Sequence, residues 1–278
     1  MSIITLTTDA YSGGNILAEG LAEKMGYRCI GDDNVIAAAA KAYEVDKGKL
    51  EQLFRASASF FNPLSSRKYR LIPLLEAVLV EQMCQPDLIY HGIIAVSRIQ
   101  EVSHAIKVRV IANAESRMRE VIRTERSSGV VEAKDRIFKL DEERQRWSRA
   151  IYGTDISDSA LYDLVVNIGP MGDEDIKDAI ETIAITARQK KFEPMTYSVN
   201  SLTNIALSCK VKAAFIDSHS KMEVRSDKGT VYLLVPALRR KNQKTILELK
   251  NKIMELEGVE HVEVYVKKEI FEDMARGN

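Results

Sequence analysis

The stretch running from Ile3 to Glu23, IITLTTDAYSGGNILAEGLAE, constrains the fold more than any other part of the chain. It opens with a short apolar run, Ile3, Ile4 and Leu6, interleaved with Thr5 and Thr7. A turn of small residues follows at Ser12-Gly13-Gly14. Leu17, Leu21 and Met25 then recur at helical spacing, with Ala18 and Ala22 beside them, and Gly26 stands where a helix would end. Strand, small-residue turn and helix are the layout of a phosphate-binding loop, in which backbone N–H groups and the positive end of the helix dipole face an anion. The fit to the consensus G-x-x-x-x-G-K-[ST] is partial. Set on Gly13, its first glycine falls on Thr8, its lysine on Gly14 and its hydroxyl residue on Asn15. An ordinary strand-to-helix turn of an α/β sheet also accounts for these residues.

A length of 278 residues suits two domains, and 45% hydrophobic content is enough for a proper core. Lysine plus arginine equals aspartate plus glutamate, at 40 each, so no global charge draws the chain toward nucleic acid or acidic lipid. Cys29, Cys84 and Cys209 lie far apart, as do His91, His104, His219 and His261. Neither set has metal-ligand spacing, and the odd cysteine count reads as reduced thiols. No run approaches membrane-spanning length, and no basic region followed by an apolar stretch opens the chain. The expectation is a cytoplasmic protein without signal peptide or transmembrane segment.

Along the chain, strands alternate with helices. Tyr27–Ile30, Asp87–Ile94, Lys107–Ala112 and Tyr162–Ile168 read as short buried strands. Asn34 is placed to cap a helix over Val35–Ala42, and further helices are predicted over Lys47–Phe61, Leu71–Met83 and from Asp173 to Ala187. Asn113-Ala114-Glu115 opens a long arginine-rich helix. Its charges read mostly as a solvated face with i,i+4 pairs such as Glu115–Arg119 and Glu132–Arg136. The cations Arg67, Lys68 and Arg70, ahead of an apolar helix, suit either a solvated helix start or a phosphate contact. This alternation predicts a parallel α/β sheet flanked by helices in a first domain over residues 1–190. After the polar linker Gln189–Pro194 the pattern changes. A helix over Val199–Cys209, strands at Lys221–Arg225 and Thr230–Val235 around Asp227-Lys228-Gly229, a helix over Lys241–Glu257 and a strand over Val259–Val266 predict a small αββαβ domain over 196–270.

With its strands placed, the first domain resembles the bacterial cytidylate kinase-like family, of P-loop nucleoside monophosphate kinase fold. The carriers are the opening IITL…SGGNILAEGLAEKMGY, Asp32 after the second strand, DLIYHG at the central strand, and ANAESR from Ala112 to Arg117. Asp141-Glu142-Glu143-Arg144, Gly153, Asp155, Asp158 and Tyr162-Asp163-Leu164 with Asn167 complete them. The resemblance implies a nucleotide ligand, with ATP and Mg²⁺ as cofactors. It implies phosphate or nucleotide contacts at Ser12, Gly13, Gly14, Asn15, Asp32, Arg67, Arg70 and Arg117. The departures are Gly14 for the loop lysine, Asn15 and Ile16 where a metal-binding hydroxyl is expected, and Gly92-Ile93 for the Gly-Arg pair that contacts the acceptor. Each such contact is worth about 10²–10³ in rate. Arg144 is the first candidate to substitute as a catalytic cation, with the 67–70 cluster, Lys24 and Lys68 behind it.

The second domain resembles a BON domain, carried by its αββαβ order, by VRSDKGTVYLLV and by Gly258-Val259-Glu260-His261-Val262. That resemblance implies a module for a protein or phospholipid partner. Three functions follow as alternatives: a nucleotide-binding pseudokinase or sensor, an active kinase acting on a nucleoside monophosphate, and a non-catalytic interaction protein.

Overall fold

The computed structural model describes residues 3–55, 70–94, 96, 98–125, 129–170, 172–189, 196–219, 222–236 and 243–267. The first unit runs β1 (Ile3–Thr8), α1 (Gly14–Met25), β2 (Arg28–Gly31), α2 (Asp32–Ala42), α3 (Lys47–Arg55), α4 (Ile72–Met83) and β3 (Leu88–His91). It continues with β4 (Ala105–Ile111), α5 (Ala114–Glu125), α6 (Val130–Tyr152), β5 (Leu164–Asn167) and α7 (Asp173–Gln189). Its five strands form one parallel sheet in the order β2-β3-β1-β4-β5.

β1 lies at the centre of the sheet, and its first five residues are all buried. Successive side chains leave a strand on opposite faces. Ile3 enters the core shared with α2 and α4, while Ile4 and Leu6 enter the core shared with α1 and α7. Leu88 and Tyr90 join the first core and Ile89 the second. Thr5 and Thr7 fit this buried strand because their hydroxyls donate to backbone carbonyls, of Ile106 at 3.4 Å and Gly92 at 3.5 Å. Gly26 ends α1 in the left-handed region, its N–H donating to the Ala22 carbonyl at 2.8 Å.

The second unit runs α8 (Thr196–Ala214), β6 (Glu223–Asp227), β7 (Thr230–Pro236), α9 (Gln243–Met254) and β8 (His261–Lys267). β6 and β7 form an antiparallel hairpin, and β8 adds in parallel to β7. Leu207 and Val211 of α8, Ile253 of α9, and Val231, Leu233 and Val262 make a small core of their own. α8 has a second apolar face. Leu202, Cys209 and Ala213 belong to the first unit's core and pack it against α4.

Element types and order agree with the sequence reading, but β2 and β5, at the two edges of the sheet, are partly exposed rather than buried, and further local differences follow. The long arginine-rich helix is two helices, α5 and α6, the second preceded by Gly129, whose N–H donates to Glu132 at 2.6 Å. Glu132 is therefore a cap, and Arg136 pairs with Glu125 at 3.3 Å instead, while the Glu115–Arg119 pair forms at 3.6 Å. α2 begins at Asp32, and Asn34 reaches back to the Gly31 N–H at 2.8 Å. Lastly, α8 is longer at both ends than Val199–Cys209. Residues 56–61 of the helix expected over Lys47–Phe61 lie outside the described residues.

His104 fastens the segment before β4 to α8. Its ring is fully buried, with Nδ1 2.7 Å from the Ser198 hydroxyl, and its Nε2 has no partner among the described residues. Protonation would bury a second N–H without an acceptor, and burial accordingly lowers the imidazole pKa below its ordinary 6.5. A depressed folded-state pKa gives stability that is present above 6.5 and is lost as pH falls through the folded value. Urea unfolding should therefore show stability dropping from pH 7.5 toward pH 5.5, with a shallower drop in His104→Gln.

Candidate functional site

The segment 9–13 joins β1 to α1 at the C-terminal edge of the parallel sheet, the edge at which open α/β sheets bind ligands. Gly13 precedes α1 at φ 69°, and no side chain caps the helix. First-turn N–H groups lack a partner within their helix, which leaves them facing outward for an anion. Gly14 approaches β1 so closely that a Cβ there would lie 2.5 Å from the Thr8 side chain. The two departures from the loop consensus are thus linked in space. Thr8 replaces the first glycine, and the space it fills restricts position 14 to glycine. Ser12 is buried, and both its N–H and its hydroxyl donate to the Asp9 carbonyl, at 3.3 Å and 2.8 Å. It closes the turn from within, whereas Asn15 is exposed toward the adjoining cleft.

A buried ion network fixes the loop from behind. Arg117, on α5, is 6% exposed. Its Nε donates to the Ala10 carbonyl at 2.7 Å, and its Nη2 donates to both Asp141 oxygens at 2.8 and 2.7 Å. Nη1 lies 3.7 Å from Asp9, which also pairs with Arg109 of β4. Tyr11, at φ 58°, packs its ring against Val121, Ala133 and Ile137 of α5 and α6, and its hydroxyl bonds Glu125. The loop is thereby held to the helical hairpin that flanks it.

Arg144 projects from α6 to the end of β1, where Nη1 donates to the Thr8 carbonyl at 2.8 Å. It lines both a cleft of about 560 Å³ and a smaller cavity of about 250 Å³ beside Asp9, Arg109 and Asp141. Burial pulls its pKa down, and the charges of Asp32, Asp141 and Asp9 oppose that pull. It remains a cation, as arginine does in proteins.

Across the larger cleft stands Asp32, at the start of α2. The Tyr90 hydroxyl donates to Asp32 Oδ1 and the Ile93 N–H to Oδ2 at 3.2 Å, while the Ile94 N–H donates to Tyr90 at 2.7 Å. Burial raises the Asp32 pKa, against the lowering effect of the Tyr90 and Ile93 hydrogen bonds and of Arg144. Burial and the Asp32 charge push Tyr90 well above its ordinary value, so it serves as a neutral donor. Glu19, Asp33, Glu51 and Glu143 also line the cleft, with His91 and Trp147. Arg144 is the one arginine or lysine among the described residues lining it.

Ser12, Gly13, Gly14, Asn15, Asp32 and Arg144 are therefore gathered around the loop and cleft. Arg117 lies behind the loop with its donors turned to protein acceptors, a positioning residue rather than one that faces a ligand. Arg70 is elsewhere. Its Nη2 donates to the Ile216 and Asp217 carbonyls at 3.3 and 2.9 Å, because the start of α4 abuts the end of α8. Arg67 and Lys68 lie outside the described residues. Lys24 sits in the last turn of α1, paired with Glu181, too far along the helix to replace a loop lysine. Sequence reading did not single out Asp9, Arg109 or Tyr90. The available signal was a pair of charges, Lys107 and Arg109, inside an otherwise apolar buried strand. Among the described residues no group of three or more His, Cys, Asp or Glu could hold a metal on its own, and no helix is long and apolar enough to cross a membrane.

A model of the cytidylate kinase-like family matches residues 3–170, more than half of the chain. Similar solved structures include an uncharacterized protein from Eubacterium ventriosum, at 16% identity and TM-score 0.49 over 68% of this chain and 99% of that one. A shikimate kinase from Bacteroides thetaiotaomicron aligns at 13% identity and TM-score 0.44 over 67% and 98% of the two chains. A gluconokinase from Sinorhizobium meliloti aligns at 12% identity and TM-score 0.44 over 70% and 98%. No curated protein matches the sequence.

Substitutions at Gly14, Thr8 and Arg117 test this geometry. Gly14→Ala should destabilise the protein by about 1–3 kcal/mol through overpacking, and Thr8→Gly in the same chain should recover most of that loss in denaturant unfolding. Arg117→Ala should lose about 1–3 kcal/mol, because it leaves the Ala10 carbonyl and the half-buried Asp141 without their donor, while Arg117→Lys should recover only part.

Proposed function

Because the chain belongs to the cytidylate kinase-like family, we propose that its first unit binds a nucleotide through the segment 9–15 and that its phosphoryl transfer is weak or lost. The observation that carries this reading is the contact between Thr8 and Gly14, which leaves no room for the lysine that would reach the β- and γ-phosphates. The phosphate-facing features that need only backbone are kept. These are the left-handed Gly13, the uncapped start of α1 and the buried brace behind the loop. Those that need a charged or hydroxylic side chain are missing at Gly14, Asn15 and Ile93. Ile93 instead packs into the core and presents an apolar edge to the cleft, where no cation is offered from that position.

Magnesium fits this reading as a partner of the nucleotide. Asn15 and Asp32 offer oxygen donors at the cleft, and Mg²⁺ is commonly held by one or two such groups together with phosphate oxygens. Its contribution when bound is to offset phosphate charge. The carboxylates lining the cleft otherwise repel a nucleotide, so binding should depend on the cation.

A second reading, an active kinase for a nucleoside monophosphate, is favoured by Arg144 and Asp32. The guanidinium borders both cavities at the end of β1, as a cation that stabilises a transferring phosphoryl group must. Asp32, with its raised pKa, would accept the proton of the attacking hydroxyl. For the second unit we retain the BON-like reading, on its helix–strand–strand–helix–strand order, as a module for a protein or phospholipid partner.

Titration calorimetry with ATP, CTP, CMP and AMP, with and without Mg²⁺, tests the first reading. Binding of at least one nucleotide below millimolar is expected, and no heat from any of them would overturn it. Transfer assays separate the two readings. Slow or absent turnover in the wild type, raised on the order of 10²-fold in Thr8→Gly with Gly14→Lys, fits a weakened kinase. Wild-type turnover that falls on the order of 10²-fold or more in Arg144→Ala favours the active enzyme.

A further inference from the structure

A second large cavity, about 500 Å³, lies away from the phosphate loop, between the two units. One wall is a single face of α8, carrying Asn200, Thr203, Asn204 and Leu207 at helical spacing. The opposite wall is the end of α4, with Ala77, Glu81 and the following Cys84, together with Tyr43 at the end of α2. The turns Lys228-Gly229 and Glu257-Gly258 close it from the second sheet.

The Lys228-Gly229 turn is built in an unusual way. Both residues have positive φ, 45° and 79°, as a two-residue hairpin turn of this hand requires, and asparagine or glycine is the usual choice at the first position. A lysine there is strained, and it is held by α8. Asn204 accepts from the Lys228 N–H at 2.9 Å and donates to Asp227 at 3.0 Å. The second ammonium, Lys210, is already matched by the Glu257 carbonyl and carboxylate, each at 3.3 Å. No ion pair is formed by Lys228 among the described residues.

The cavity therefore offers an apolar floor at Tyr43, Ala77 and Leu207, the Asn200 amide, the Thr203 hydroxyl as an acceptor (it donates to the Val199 carbonyl), the carboxylates of Glu81 and of Glu257, the latter paired with Lys210, and the cation of Lys228. We propose that this is a binding site for an amino-substituted heteroaromatic ligand of nucleoside size that carries a single negative charge. The floor takes the ring, Glu81 accepts from its amino group and Lys228 meets the anion. A polyphosphate would be opposed by Glu81 and Glu257. The site does not depend on phosphoryl transfer in the first unit. It adjoins the C-terminal end of α2, whose first residue is Asp32 of the cleft.

Cys84 supplies the test on the full chain, because it lines this cavity while Cys29 does not. The probes are adenosine and cytidine 3′,5′-cyclic monophosphates, compared with adenosine, cytidine and inorganic phosphate. Alkylation of each cysteine by iodoacetamide is followed by mass spectrometry. The cyclic monophosphates should slow Cys84 alkylation about fivefold at a few times their dissociation constant, with Cys29 unchanged. Thr203→Trp at the mouth and Lys228→Glu on the exposed turn should each abolish that protection, and Asp32→Asn should leave it intact. Protection by no probe overturns the proposal, as does protection that survives Thr203→Trp but disappears in Asp32→Asn. Equal protection by the uncharged nucleosides overturns the assigned role of Lys228.

Discussion

The buried guanidinium of Arg117 is the interaction on which the phosphate loop depends. A cation removed from water is tolerated only when acceptors replace its hydration, and here the Ala10 carbonyl and the Asp141 carboxylate do so at close range. Those acceptors belong to the loop and to α6, while the arginine itself belongs to α5. Asp9 extends the network to Arg109 and so to the sheet. Four segments that are distant in sequence are fixed relative to one another by a single requirement, that none of these charges be left alone. In that arrangement Nε and Nη2 of Arg117 are taken by protein acceptors and Nη1 is turned toward Asp9, so the guanidinium braces the loop from behind.

The sheet and its helices were legible because their signals are local. Alternating apolar runs give the strands, and Gly26 ends α1 as expected, whereas the break before Gly129 that divides α5 from α6 was not read. The loop's departure from consensus at Gly14 was visible too, but its cause was not. Only the fold brings Thr8 against the start of α1 and turns two separate oddities into one packing constraint. Arginines were the least legible residues. Arg70, Arg117 and Arg144 look alike in sequence as cations near helices, yet one clamps the end of α8, one braces the loop and one faces the cleft. A guanidinium's role is set by the acceptors brought to it from elsewhere in the chain, and composition carries none of that information.

Charge is distributed unevenly between the two sides of the loop. Behind it, in the network around Asp9 and Asp141, arginines match carboxylates in contact. In front of it, Glu19, Asp32, Asp33, Glu51 and Glu143 share a cleft with Arg144. The first arrangement stabilises a conformation. The second sets the terms on which an anion can enter, and it makes the hydrogen bonds from Tyr90 and Ile93 to Asp32 important, because they fix the carboxylate that stands opposite Arg144.

α8 lies outside the residues 3–170 that match the family, yet it completes the core of the part that does. Nearly every side chain of α4 is buried, and Leu202, Cys209 and Ala213 are among the residues that bury it. The stretch that matches the family and the stretch that shares its core therefore do not coincide. A fragment cut at the end of the recognisable kinase-like region would carry the whole phosphate loop but expose the flank of α4 to water.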